Sequence, residues 1–109
     1  MFTPEERRAH AAAIQEKLEE LDGARWSLCA YGTTHPSFVF IVERDGGNEV
    51  GSWTLSCIMP KHFCGPLVGM DCRFRVSLEE RAERSFLVLS EERSGLTVHS
   101  LNVHVTRRQ

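Results

Sequence analysis

Cys57, His62, Cys64 and Cys72 fall within sixteen residues around a stretch rich in proline and glycine. Three thiolates and one imidazole form the donor set of a tetrahedral zinc site. The spacing lacks the Cys-x-x-Cys pair that usually anchors such a site. Periodicity also offers two of these cysteines another role. Cys57 alternates in phase with Trp53 and Leu55, and Cys72 with Phe74. At such positions cysteine packs as a small apolar side chain. Packing is therefore the stronger reading and no cofactor is expected; zinc held by Cys57, His62, Cys64 and Cys72 is the rival.

Cys64 with His62 is the other pairing that could do chemistry, a thiol nucleophile beside a base. Two residues apart on an extended chain, both side chains emerge on one side. Catalysis also needs a group to orient the base and a donor for the oxyanion, and the sequence identifies neither. There is no His-Glu-x-x-His, no Gly-x-Ser-x-Gly and no Asp-rich calcium loop. Gly46-Gly47 precedes no helix start and has no suitably spaced lysine, so it is not a phosphate cradle. His99 falls on an apolar face as a core histidine, and His104, an odd number of residues on, points the other way. The chain is not expected to be an enzyme.

Charge points away from nucleic acid. Net charge is −2, with residues 1–56 at −4 and residues 57–109 at +2, a mild dipole. Arg73, Arg75, Arg81 and Arg84 are interrupted by Glu79, Glu80 and Glu83, a pattern that makes local ion pairs. The N-terminal Met-Phe-Thr-Pro-Glu-Glu-Arg-Arg lacks the apolar core of a secretion signal. No apolar run approaches the roughly 20 residues that span a bilayer. A cytoplasmic, membrane-free protein with its cysteines as thiols is expected.

The elements that position these residues begin with a helix. Thr3-Pro4-Glu5-Glu6 combines an N-cap, a proline at the first helical position and a carboxylate three residues on. The helix should reach about Leu21 and stop at Asp22-Gly23, with Ala11, Ile14, Leu18 and Leu21 as a narrow apolar stripe. Trp26 to Tyr31 is a first strand. Ser37 to Met59 is the strongest hairpin pattern, two strand-like runs around Asp45-Gly46-Gly47-Asn48. A two-residue loop there sets Phe40 opposite Trp53, Phe38 opposite Leu55 and Arg44 opposite Glu49, with the large apolar side chains facing the helix stripe. Lys61 to Met70 reads as loop and Asp71 to Val76 as strand. Ser77-Leu78-Glu79-Glu80 repeats the capping pattern and predicts a short helix or wide turn. Phe86 to Leu89 pairs through Ser94-Gly95 with Leu96 to Thr106, Val88 opposing Leu101 and Phe86 opposing Val103.

The sum is one domain over residues 1–109. It is α+β, with an N-terminal helix packed on a curled, mostly antiparallel sheet of about six short strands. One helix, about 10–12 Å across, cannot cover six strands spanning roughly 24 Å. Phe38 to Val42 and Phe86 to Leu89 are apolar on both faces. The sheet must curl strongly, split into two layers, or leave an apolar interface. Val39, Ile41, Leu87 and Leu89 are the candidate partner-binding residues, for another protein or a homodimer. The expected function is a non-enzymatic protein-binding module, an inhibitor or adaptor of the kind viruses and plasmids encode. The alternative is a ligand- or zinc-binding domain using a pocket between helix and sheet or the Cys57–Cys72 region.

Overall fold

The computed structural model describes residues 3–32, 37–44, 51–81 and 84–108. Helix α1 spans Pro4–Glu19. Thr3 caps it, its hydroxyl accepting from the Glu6 amide at 3.1 Å; Glu20 is the C-cap, and Gly23 turns the chain beyond it at φ 90°. Nine strands follow among the described residues: β1 (Arg25–Gly32), β2 (Ser37–Arg44), β3 (Gly51–Ile58), β4 (His62–Cys64), β5 (Val68–Gly69), β6 (Phe74–Arg81), β7 (Arg84–Glu91), β8 (Leu96–Ser100) and β9 (Asn102–Arg108). All the strand pairings are antiparallel.

This is the expected α+β architecture, with the sheet split into two layers. The first sheet has the order β5-β1-β2-β3-β9 and the second β4-β8-β7-β6. Phe38, near one end of β2, packs on Phe63 of β4 at 4.9 Å between ring centroids. Toward the other end Trp26, which pairs with Val42, meets Phe74 of β6 at 5.5 Å. Since β4 and β6 are the two edges of the second sheet, its strands cross β2 steeply rather than follow it.

The helix closes one open side of this sandwich, lying against β6 and β9, one edge strand from each sheet. Gln15 Oε1 accepts from the Val76 amide at 2.9 Å, and Arg7 donates to the Leu101 carbonyl at 3.1 Å. The side chain thereby answers an edge amide that would otherwise lack a partner. Ala11, Ile14, Leu18 and Leu21 join one core with Trp26, Phe40, Val42, Leu55, Phe74, Leu87, Leu89 and Val98. Among the described residues no helix is long and apolar enough to cross a membrane.

Several expectations are corrected. Phe40 pairs with Leu55 and Val42 with Trp53, two residues from the register expected, and Arg44 pairs with Gly51. A two-residue shift preserves side-chain parity, so the predicted faces survive. The turns at 33–36 and 45–50 lie outside the described residues. The segment from Ser77 is strand: Phe74, Val76 and Leu78 turn to the core while Glu79 pairs with Phe86. Lys61 to Met70 contains β4 and β5 rather than loop alone.

Residues 96–106 are not one strand. The chain leaves the second sheet after Ser100 and enters the first at Asn102. His99 therefore sits opposite Val88, on the outer face of the second sheet, and Leu101 is the crossover. The apolar phase records the switch, since Leu96 and Val98 are even-numbered whereas Leu101, Val103 and Val105 are odd. Leu87 and Leu89, candidates for partner contact, are fully buried between the sheets. In β7 it is Phe86 and Val88 that face outward.

Candidate functional site

The four proposed zinc ligands do not converge. Cys57 lies in the core opposite Phe38. Cys72 is also buried, its thiol donating to the Leu21 carbonyl at 3.0 Å. His62 and Cys64 are exposed on β4. Burial pushes the Cys57 thiol up to about 12 and the Cys72 thiol up to about 11, away from the thiolate that metal binding requires. Among the described residues no group of three or more His, Cys, Asp or Glu is placed to hold a metal ion.

Val39 and Ile41 do lie on an outer face, that of the first sheet. One cross-strand row runs Val68, Ser27, Ile41, Thr54 and Thr106. Val39, Ser56 and His104 make the next row, and Ser37, Ile58 and Asn102 the one beyond. None of these is Lys, Arg, Asp or Glu, in a chain that is 26% charged. Charge enters in the row at the other end, where Arg25 and Glu43 form an ion pair at 3.0 Å. Leu67, Val68 and Met70 rise along the free edge beside β5, 52%, 66% and 79% exposed. The apolar character of 67–70 was plain in the sequence, but its placement at a sheet edge depended on the long-range pairing of β5 with β1.

The outer face of the second sheet is different. His62 and His99 are cross-strand neighbours with rings edge to face, 5.6 Å between centroids. His99 Nε2 meets Glu79 Oε2 at 3.1 Å, and its Nδ1 is buried without a hydrogen-bond partner. Lys61 and Phe86 complete a cleft of about 420 Å³ with the two histidines. Glu79, Lys61 and Phe86 were not identified as site residues from sequence. Glu79 and Phe86 face each other across one hairpin, but their meeting with Lys61 depends on segments far apart in the chain.

A second hollow, about 500 Å³, opens between the end of α1 and the first sheet. Lys17, Glu20, Trp53, Val105, Thr106 and Arg107 line it. Trp53 carries Arg44 and Arg107 within 5.9 and 5.8 Å of its ring, cation–π distances. Of the basic cluster seen in the sequence, the side chains of Arg81 and Arg84 lie outside the described residues. Arg75 binds Asp22 on the helix-terminal turn and Arg73 lies 4.0 Å from Glu92.

No family model matches the chain, and no curated protein or solved structure is significantly similar to it.

Proposed function

We propose that this chain is a small non-enzymatic protein-binding module that docks through the outer face of its five-stranded sheet and the ridge beside β5. One observation carries the reading. The large apolar side chains exposed among the described residues, Met59, Leu67, Val68 and Met70, all come from the single connection between β3 and β6. Three of them border the face that carries no Lys, Arg, Asp or Glu over three rows. Scattered exposed apolar residues are ordinary, whereas a contiguous group beside such a face marks an interface.

The occupant is a second copy of this chain. Such a face offers neither charge to repel its twin nor charge that demands an opposite partner, so nothing in its charge opposes pairing with its own copy about a two-fold axis. Five strands at about 4.8 Å and three rows along them cover roughly 20 Å by 20 Å. With the ridge, two copies bury on the order of 1,000 Å², near the lower bound for a specific interface. The association is accordingly reversible, and an inhibitor or adaptor role would expose the same face to a different protein.

Sedimentation across a concentration series tests this. Dimerisation that Val68→Asp and Met70→Asp both abolish, with unfolding midpoints unchanged, supports the face. A strictly monomeric protein at all concentrations, or a dimer indifferent to both substitutions, overturns it. The alternative of a ligand-binding domain has support in the hollow between α1 and the first sheet, where a bound ligand would change Trp53 fluorescence. A zinc-binding role would require Cys57 and Cys72 to leave the core.

A further inference from the structure

The cleft on the second sheet has an excess of hydrogen-bond donors around one aromatic surface. Lys61, His62, His99 and Phe86 form it, and among the described residues no carboxylate lines its wall. Glu79, which reaches this face, is engaged with His99 Nε2. Lys61 has no carboxylate partner among the described residues, yet its backbone is pinned. Its amide donates to the His99 carbonyl at 2.7 Å, which fixes where its side chain leaves the backbone. The ring of His62, set against His99, is held beside it.

We propose that this cleft binds a small organic anion with a flat apolar body. Lys61 and His62 hold the carboxylate or phosphate head, and Phe86 carries the body. Three physical arguments converge on that class. An ammonium with no acidic partner favours an anion, whose charge-assisted hydrogen bonds are about twice as strong as neutral ones. Phe86 offers a π surface on which another ring stacks or tilts favourably. The volume, about 420 Å³, falls within the range of small-molecule sites. The Glu79–His99 contact acts indirectly. It fixes the His99 ring, against which His62 packs edge to face, so His62 is positioned before the ligand arrives. The cleft lies on the opposite sheet from the proposed docking face, so either proposal can fail without the other.

Titration followed by the ring resonances of His62 and His99 tests the site, with benzoate, phenyl phosphate, inorganic phosphate and benzyl alcohol as probes. Benzoate and phenyl phosphate should produce saturable shifts of both histidines. Their ratio of affinities identifies the preferred head group. Inorganic phosphate, lacking the body, should bind about tenfold more weakly, and benzyl alcohol, lacking the charge, should not saturate. Lys61→Ala should weaken both aromatic anions by about tenfold or more, the loss of one charge-assisted contact. Because Lys61 is exposed, its variant is expected to fold, and the melting midpoint checks that. Phe86→Ala should remove the advantage of the aromatic anions over inorganic phosphate. The proposal is overturned by any of three results: no saturable shift in tens of millimolar benzoate or phenyl phosphate, equal binding of benzyl alcohol, or unchanged affinity in folded Lys61→Ala.

Discussion

Asp22 and Arg75 are joined by two parallel hydrogen bonds, Arg75 Nη1 to Oδ1 at 2.9 Å and Nη2 to Oδ2 at 3.1 Å. The pair ties the turn after α1 to the edge strand β6. A planar guanidinium matches a carboxylate in this way, and an ammonium cannot. The hydrogen bond from Arg75 holds the Asp22 carboxyl below its ordinary value of 3.8, against the opposing effect of partial burial. Because the pair is partly exposed, its contribution is on the order of 1 kcal/mol. Arg75→Lys should keep the charge and lose the fork, lowering stability by a few tenths to about 1 kcal/mol in urea unfolding. Arg75→Met should lose at least as much.

Glu91 should show a larger effect. It is buried between the sheets and its carboxylate accepts from the amides of Arg73, Arg93 and Ser94 at 2.8, 3.1 and 2.9 Å. Burial pushes its pKa up, but those backbone donors and the Ser94 side chain outweigh it and hold the value below the ordinary 4.5. A carboxyl depressed in the fold binds protons more readily in the unfolded chain. Its stabilisation is thus full above the unfolded value and is lost as pH falls through the folded one. Asp22 acts in the same direction. Unfolding free energy should therefore hold above about pH 5 and decline in acid. Glu91→Ala should cost about 2–4 kcal/mol by stranding three amides, and should flatten that decline.

The thiols divide two and two. Cys57 and Cys72 are buried, while Cys29 and Cys64 are exposed. Only thiolate attacks an aromatic disulfide reagent, and burial holds the first two at about 12 and about 11. At pH 8 the native protein should react rapidly at Cys29 and Cys64, and at Cys57 and Cys72 only on unfolding. Rapid modification of Cys57 in native protein would contradict the packed core.

The two tryptophans should separate in the same way. Trp26 is 2% exposed, edge-on to Phe40 and Phe74, whereas Trp53 is half-buried beneath two arginines. Trp26→Ala should cost about 3–5 kcal/mol. Trp53→Ala should cost less, about 1–3 kcal/mol, because solvent already reaches its site. Gly69 tests the packing from the other side. A Cβ there would lie 2.6 Å from Trp26 Nε1, so Gly69→Ala must displace the buried ring or β5. A loss of about 1–3 kcal/mol is expected, measured by urea unfolding.

What the sequence determined by itself was local. Thr3 set the start of α1 because a hydroxyl can satisfy a free amide, and Gly23 set the turn beyond its C-cap Glu20 because glycine tolerates positive φ. Alternation from Trp53 to Cys57 set which side chains point together, since strand parity needs no knowledge of the partner strand. Those two features sufficed for an α+β domain whose sheet has an apolar face. The phase break between Val98 and Leu101 also lay in the sequence, as the local trace of a change of sheet.

Tertiary structure decided whichever features depended on a distant partner. Parity leaves a choice among registers two residues apart, and long-range packing chose Phe40 opposite Leu55. It also chose the side on which Leu87 and Leu89 are hidden, because a strand apolar on both faces does not say which face meets the core. The meeting of Glu79 with His99, and of Lys61 and His62 beside Phe86, required β4, β6, β7 and β8 to share one sheet. Those contacts join residues twenty to twenty-five positions apart. Local propensity is blind over that distance, and only burial of the common core brings the strands together.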